Sequence, residues 1–221
     1  MTHTTDTTIA DQSAEVGREA GQRLPAEVAA AFAGELARLV AQGVPADVAA
    51  PGTPMPDGDL LDVHGAATTL TEARAGRAAV VVFYRGAWCP YCNVALRAYQ
   101  TALVEKLDAR GVALVAVSPQ KPDNSLSLAE KHALTYTVVS DPGNQIATRL
   151  GIVFTLGAGA REAQVKLGLD LTEVNADGTA QLPLATTVLV DADGVIRWID
   201  VHPDYTTRSE PAEILAAVDA L

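Results

Sequence analysis

Two uninterrupted apolar runs, AAVVVFY at residues 78–84 and VALVAV at 112–117, constrain this chain more than any other feature. A run of that kind, without polar alternation, suits a strand covered on both faces. Between the runs, Leu96, Tyr99, Leu103 and Leu107 recur at spacings of three and four, which marks the buried stripe of a helix from about Pro90 to Ala109. Strand, helix, strand in that order predicts a parallel pair with its crossover helix.

The rest of the sequence extends this unit. DLLDV is a short strand, SLSLAEKHAL a helix capped by Asn124 or Ser125, YTVVSD a short strand, and GNQIATRLG a helix closed by Gly151. Residues 154–183 are expected to be irregular. TTVLVDADGVIRWIDV predicts two strands about an Asp-Gly turn, and PAEILAAVDAL a closing helix with Pro211 in its first turn. The predicted class is α/β, a mixed central sheet flanked by helices.

Ahead of this domain, residues 10–42 are helical in pattern, with a break between Gly21 and Pro25. Val28, Phe32, Leu36 and Leu39 line one face, which either packs on its own domain or forms a homodimer contact. The Pro- and Gly-rich segment GVPADVAAPGTPMPDGD then acts as a connector. The expected organisation is an N-terminal helical extension over residues 1–50 and one α/β domain over residues 51–221.

With 16 Lys and Arg against 27 Asp and Glu, the net charge of −11 disfavours nucleic-acid backbones and anionic membranes as partners. No segment approaches the roughly 20 apolar residues that span a bilayer, and the N-terminus lacks the basic and apolar regions of a secretory signal, so a cytoplasmic setting is expected. No G-x-G-x-x-G follows a strand, and no flavin or nicotinamide cofactor is expected.

The only two cysteines, Cys89 and Cys92, fall in FYRGAWCPYCN, directly after the first apolar run. In a reducing compartment such a pair is more often catalytic or metal-binding than structural. Structural zinc needs four ligands, and His3, His64, His132 and His202 form no second ligand pair in the sequence, so no metal is expected. Counting back four from Leu96 along the helix stripe reaches Cys92, which therefore faces inward. Pro90 suits the first helical position and makes Cys89 the N-cap. Unpaired N–H groups and the helix dipole there favour an anion, so Cys89, at the more exposed cap, is expected to titrate below an ordinary cysteine. Arg85 either adds to that effect or is a solvent-facing charge at the strand end.

FYRGAWCPYCN, with LRAYQ, AVSPQ, SDPGN, LGIVFTL and VDADGVIRW, resembles the peroxiredoxin-like, CxxC-containing branch of the alkyl hydroperoxide reductase and thiol-specific antioxidant (AhpC/TSA) family. The likeness runs from about Pro54 to the C-terminus and implies a thioredoxin-like fold. It also implies thiol-dependent reduction of hydrogen peroxide or organic hydroperoxides through a Cys89/Cys92 dithiol-disulfide cycle, with a thioredoxin-like or low-molecular-weight thiol as reductant. The alternative is a thioredoxin-like oxidoreductase acting on protein or low-molecular-weight disulfides.

Laying the family motif on the chain puts Cys92 at the peroxide-attacking position, Cys89 where the family has Thr or Ser, and Arg85 where it has Pro. Trp88 and Tyr84 are the implied substrate-binding residues. The arginine that typical members carry before the late strand would fall near Ala185, where the sequence has PLATTV, and a thioredoxin-type cis-proline would fall close to Pro183.

Overall fold

The computed structural model describes residues 7–221. His3 lies outside them. The elements in chain order are α1 (Ile9–Arg23), α2 (Ala26–Gln42), β1 (Leu60–Asp62), β2 (Ala67–Thr68), α3 (Leu70–Ala73), β3 (Ala79–Phe83), α4 (Pro90–Ala102) and α5 (Val104–Asp108). There follow β4 (Ala113–Ser118), α6 (Pro122–Lys131), β5 (Thr137–Ser140), α7 (Gln145–Arg149), β6 (Val153–Thr155), α8 (Ala158–Lys166), α9 (Leu171–Val174), β7 (Gln181–Pro183), β8 (Ala185–Val190), β9 (Ile196–His202) and α10 (Pro211–Asp219).

Seven strands form one mixed sheet in the order β2-β1-β5-β4-β3-β8-β9, with β3, β4 and β5 parallel and β8 antiparallel to β3. The two apolar runs become β3 and β4 at its centre, and their side chains alternate between two cores. Val80, Val82 and Tyr84 of the β3 run face one core, with Leu114 and Ala116 of β4. Ala79, Val81 and Phe83 face the other, with Val115 and Val117. Continuous hydrophobicity is therefore what a strand with both faces covered requires. Cys92, Leu96, Tyr99, Leu103 and Leu107 all reach the first core, together with Ile214 and Val218 of α10. The predicted stripe is correct, although the helix is broken into α4 and α5 at Leu103.

The N-terminal helices form as expected, and they pack on their own chain. α1 lies on α4, sending Ile9 into the first core, and α2 lies on α8. Val28 and Leu39 are buried, and Phe32 joins a third cluster with Leu156, Ala160, Leu171 and Leu182. The apolar face of α2 is thus covered within the chain.

Three local expectations are corrected. Residues 154–183 are not irregular: they carry β6, α8, α9 and β7, with β6 and β7 paired as a separate two-stranded sheet. α8 alternates small and polar residues, so it shows little helical periodicity, and it is held instead by packing on α2. α6 begins earlier than predicted, with Lys121 at the N-cap and Pro122 in the first turn, so Asn124 and Ser125 lie inside it. Pro183 sits in β7 opposite Val153, and the described residues contain no cis peptide bond.

Candidate active site

The segment 85–88 leaves β3 and turns into α4. Gly86 has φ +151°, and a Cβ there would stand 2.4 Å from Trp88 Nε1, so only glycine fits this bend. Gln120, just past the end of β4, secures the turn from beneath: its Oε1 accepts from Ala87 N at 2.7 Å, and its Nε2 donates to Tyr84 Oη at 3.2 Å and Ser125 Oγ at 3.0 Å. Burial pushes the Tyr84 phenol up to about 12, so it stays neutral. Asn93 adds a bond to Ala87 O at 2.9 Å.

Cys89 is the N-cap of α4 and Pro90 its first residue, as the sequence predicts; Cys89 Sγ accepts from Cys92 N at 3.4 Å. Cys92 faces inward. The expectation of an exposed Cys89 is wrong, since both sulfurs are completely buried. Tyr91 and Trp88, on either side, are half-buried, and α1 packs over α4.

Two arginines point at the two sulfurs. Arg85 Nη2 donates to Cys89 Sγ at 3.1 Å, and Arg208 Nη2 donates to Cys92 Sγ at 3.0 Å. Both are buried, so Arg85 is not a solvent-facing charge. The Arg85 guanidinium stacks 4.2 Å from the ring centroid of Tyr205 and 5.2 Å from that of Trp88. Arg208 is steadied by the carbonyls of Tyr205, at 2.8 Å, and Thr207.

The two thiols are shifted in opposite directions. Burial raises the Cys89 thiol, and its hydrogen bond to Cys92 raises it further, well above the ordinary thiol range despite Arg85. Burial opposes ionisation of Cys92 too, but the bond from Cys89 and the charges of Arg208 and Arg85 outweigh it and hold Cys92 well below that range. Of the two, Cys92 is the sulfur whose ionised form the surroundings favour. The expectation that Cys89 titrates low is not supported: burial and its bond to Cys92 raise it although both arginines act the other way.

Arg208 and Tyr205 were missed by sequence reasoning. They lie in the segment between β9 and α10, DYTTRSE, whose polar composition marks a loop and nothing more. That loop is anchored at several points. Asp200 Oδ2 accepts from Ser209 Oγ at 2.7 Å and pairs with His202 Nε2 at 2.8 Å, while His202 Nδ1 meets Thr207 Oγ1 at 2.7 Å. Tyr99 donates to Ser209 O at 2.8 Å. From the N-terminal side, Phe32 O accepts from Tyr205 Oη at 3.0 Å, and Glu210 accepts from Ile9 N at 3.1 Å and Ala10 N at 2.9 Å. Position 185 holds an alanine whose β8 register places it opposite His202, so the guanidinium comes from the loop beyond the neighbouring strand.

Of the remaining predicted residues, Trp88 flanks the site and bridges the first and third clusters, with its Nε1 buried and unpartnered among the described residues. Tyr84 lies beneath the site with its hydroxyl engaged by Gln120. Among the described residues no three His, Cys, Asp or Glu side chains converge as metal ligands, and no helix is long and apolar enough to cross a membrane.

Residues 51–199 match the model of the AhpC/TSA family, a span that holds Arg85 and both cysteines and ends before Tyr205 and Arg208. Peroxiredoxin Q, a chloroplastic protein of Gentiana triflora, is 32% identical over 101 residues, which is 46% of this chain and 46% of that protein. Peroxiredoxin Bcp of Escherichia coli K12 is 30% identical over 97 residues, 44% of this chain and 61% of the relative. In fold, the chain is similar to reduced Prx3 of Vibrio vulnificus in complex with hydrogen peroxide, with a TM-score of 0.62 at 20% identity over 77% of this chain and 99% of that one. It is also similar to peroxidoxin BcpB of Mycobacterium tuberculosis, with a TM-score of 0.59 at 18% identity over 77% and 97%. The fold is thioredoxin-like with two added N-terminal helices, and the chain belongs to the AhpC/TSA family.

Proposed function

We propose that this chain is a thiol-dependent peroxidase in which Cys92 attacks a hydroperoxide and Cys89 resolves the product. The observation that carries this reading is the Arg208–Cys92 contact at 3.0 Å, which sets a fixed cation against a thiolate inside an apolar core. Arg208 supplies from a different place the charge that the family arginine would have supplied near residue 185. Cys89, at the family's Thr position, offers an S–H where the hydroxyl would stand.

The Cys92 thiolate attacks one peroxide oxygen, the O–O bond breaks, and the leaving alkoxide or hydroxide takes up a proton. Cys92 becomes a sulfenic acid. Cys89, one helical turn away, then attacks that sulfur, its proton leaves with the hydroxyl as water, and the S–S bond forms. Two reductant thiols, or one dithiol, return the pair to the dithiol through a mixed disulfide and leave as a disulfide.

Hydrogen peroxide or an organic hydroperoxide is the substrate in this reading. Trp88 lies beside it, Arg85 orients Cys89, and Tyr84 supports the loop through Gln120. The reductant is a thioredoxin-like protein or a low-molecular-weight thiol, in a cytoplasmic setting. Activity as a reductant of other disulfides is less well supported, because both arginines favour the dithiol over the disulfide.

The roles are separated by two variants. Cys89→Ser should consume about one equivalent of peroxide and trap a dimedone-reactive sulfenic acid, then stop. Cys92→Ser should show no specific reaction with peroxide and should trap no sulfenic acid. The reverse pattern overturns the assignment.

A further inference from the structure

Both sulfurs are completely buried, yet a peroxide and then a thiol must reach them. Two tyrosines stand beside the pair. Tyr91 lies between the cysteines in sequence, Tyr205 stacks on the guanidinium that bonds Cys89, and their ring centroids are 6.2 Å apart. Each tyrosine is met by one N-terminal helix. Phe32 O of α2 accepts from Tyr205 Oη at 3.0 Å. α1 passes Tyr91 at Gly17, where an added Cβ would stand 3.6 Å from Tyr91 Oη, and sends Ile9 into the core cluster that holds Cys89 and Cys92.

The two helices are held very differently. α2 buries Val28 and Leu39, brings Phe32 into the third cluster, and uses Glu35 to accept from Gly157 N at 3.2 Å. Of the 15 residues of α1 only Ile9 and Ser13 are buried, with Val16 packed part-way. Ser13 Oγ has no hydrogen-bond partner among the described residues, so the closed face leaves unsatisfied a hydroxyl that water would meet. Gly17 weakens the helix from within, and a free helix of this length is marginal in water. Glu210 latches its first turn, accepting from Ile9 N at 3.1 Å and Ala10 N at 2.9 Å. At the other end Leu24 and Pro25 are extended and separate α1 from α2. An element so lightly held belongs to the low-stability end of the structure.

We propose that α1 is a lid on the cysteine pair: it swings off α4 about Leu24 and Pro25 while α2 stays in place, and thiols reach Cys89 and Cys92 only in the open form. Closed, α1 seals the sulfurs from thiols. Open, it admits the reductant that completes the cycle, so regeneration of the dithiol is gated by a helix outside the family domain. The part this lid plays in turnover rests on the peroxidase reading; the lid itself does not.

The test alkylates the reduced full chain with N-ethylmaleimide at fixed pH and reads the mass, so it needs neither peroxide nor turnover and does not depend on the peroxidase reading. The alkylation rate of the folded chain, divided by that of the urea-unfolded chain, gives an opening constant. It should exceed the global unfolding constant from chemical denaturation by at least about a hundredfold. Hydrogen exchange should find the amides of residues 9–23 far less protected than those of α4, a comparison that needs no variant to fold. Gly17→Ala strengthens the helix and meets Tyr91 at an ordinary contact distance, so it should slow alkylation about fourfold. Ile9→Ala should speed it by at least about tenfold. Alkylation no faster than global unfolding allows, α1 amides as protected as those of α4, or a wild-type alkylation rate in Gly17→Ala overturns the proposal.

Discussion

Arg208 reaches Sγ of Cys92 across 116 residues of chain at 3.0 Å, and no regular element carries it there. The contact depends on a loop pinned at its base by the Asp200–His202 pair and from outside by α1 and α2. Replacing this cation by Met should slow the first oxidation of Cys92 by about a hundredfold or more, the usual scale for losing one preorganised donor at a reacting charge. Stopped-flow mixing of the reduced protein with peroxide measures it, and a variant that keeps the wild-type rate removes Arg208 from the reaction.

The pH dependence follows from the split between the two sulfurs. Cys92 is depressed below its unfolded value, so its contribution to stability is complete above about 8.5 and is lost as the pH falls through the folded value. Cys89 is raised, so its contribution is complete below about 8.5 and is lost as the pH climbs through its folded value. The reduced protein should therefore lose stability at both extremes. The rate with peroxide should fall off at a lower pH than for an ordinary cysteine, because Cys92 is shifted downward. Thiolate absorbance near 240 nm, followed against pH, should show one group titrating on the acid side in wild type and none in Cys92→Ser.

Asp200 is a positioning residue. It touches neither sulfur but holds Ser209 and His202, which flank or fix the segment bearing Arg208. Asp200→Asn should raise the apparent pKa of Cys92 and slow peroxide oxidation, with a loss of stability no larger than that shift accounts for by linkage. A purely structural role would lower the midpoint and leave the thiolate titration where it was.

Gly86→Ala tests the turn. The new Cβ meets Trp88 Nε1 at 2.4 Å and Cδ1 at 2.8 Å, and the backbone already stands at φ +151°. A cost of about 1–3 kcal/mol is expected from the strain alone, together with a changed Trp88 fluorescence spectrum as the indole is displaced. Chemical denaturation and an emission scan report both. An unchanged spectrum would show that the indole does not depend on this glycine.

The sequence by itself determined everything that rests on local periodicity. The strands at 79–83 and 113–118 are legible because unbroken apolar runs suit a sheet covered on both faces, and the stripe from Cys92 to Leu107 is legible because helical spacing repeats it. Cys89 as N-cap follows from Pro90 alone. The split between the N-terminal helices was legible from Pro25, although Gly21 lies inside α1 rather than in the break.

What only the tertiary structure decided was the chemistry of the two sulfurs. Helix position alone assigns the low pKa to Cys89, whereas burial raises both thiols, both arginines lower them, and the bond between the two sulfurs shifts them in opposite directions. Arg85 is near Cys89 in sequence, but Arg208 comes from a loop whose composition carries no signal, placed by hydrogen bonds to β9, α4 and the N-terminal helices. Charge acts through space over a few ångströms, and sequence distance does not report it. The helices of residues 158–174 were hidden for a related reason: their small and polar residues lack a periodic stripe, and their order comes from contacts with α2 and Trp88 that local patterning does not encode.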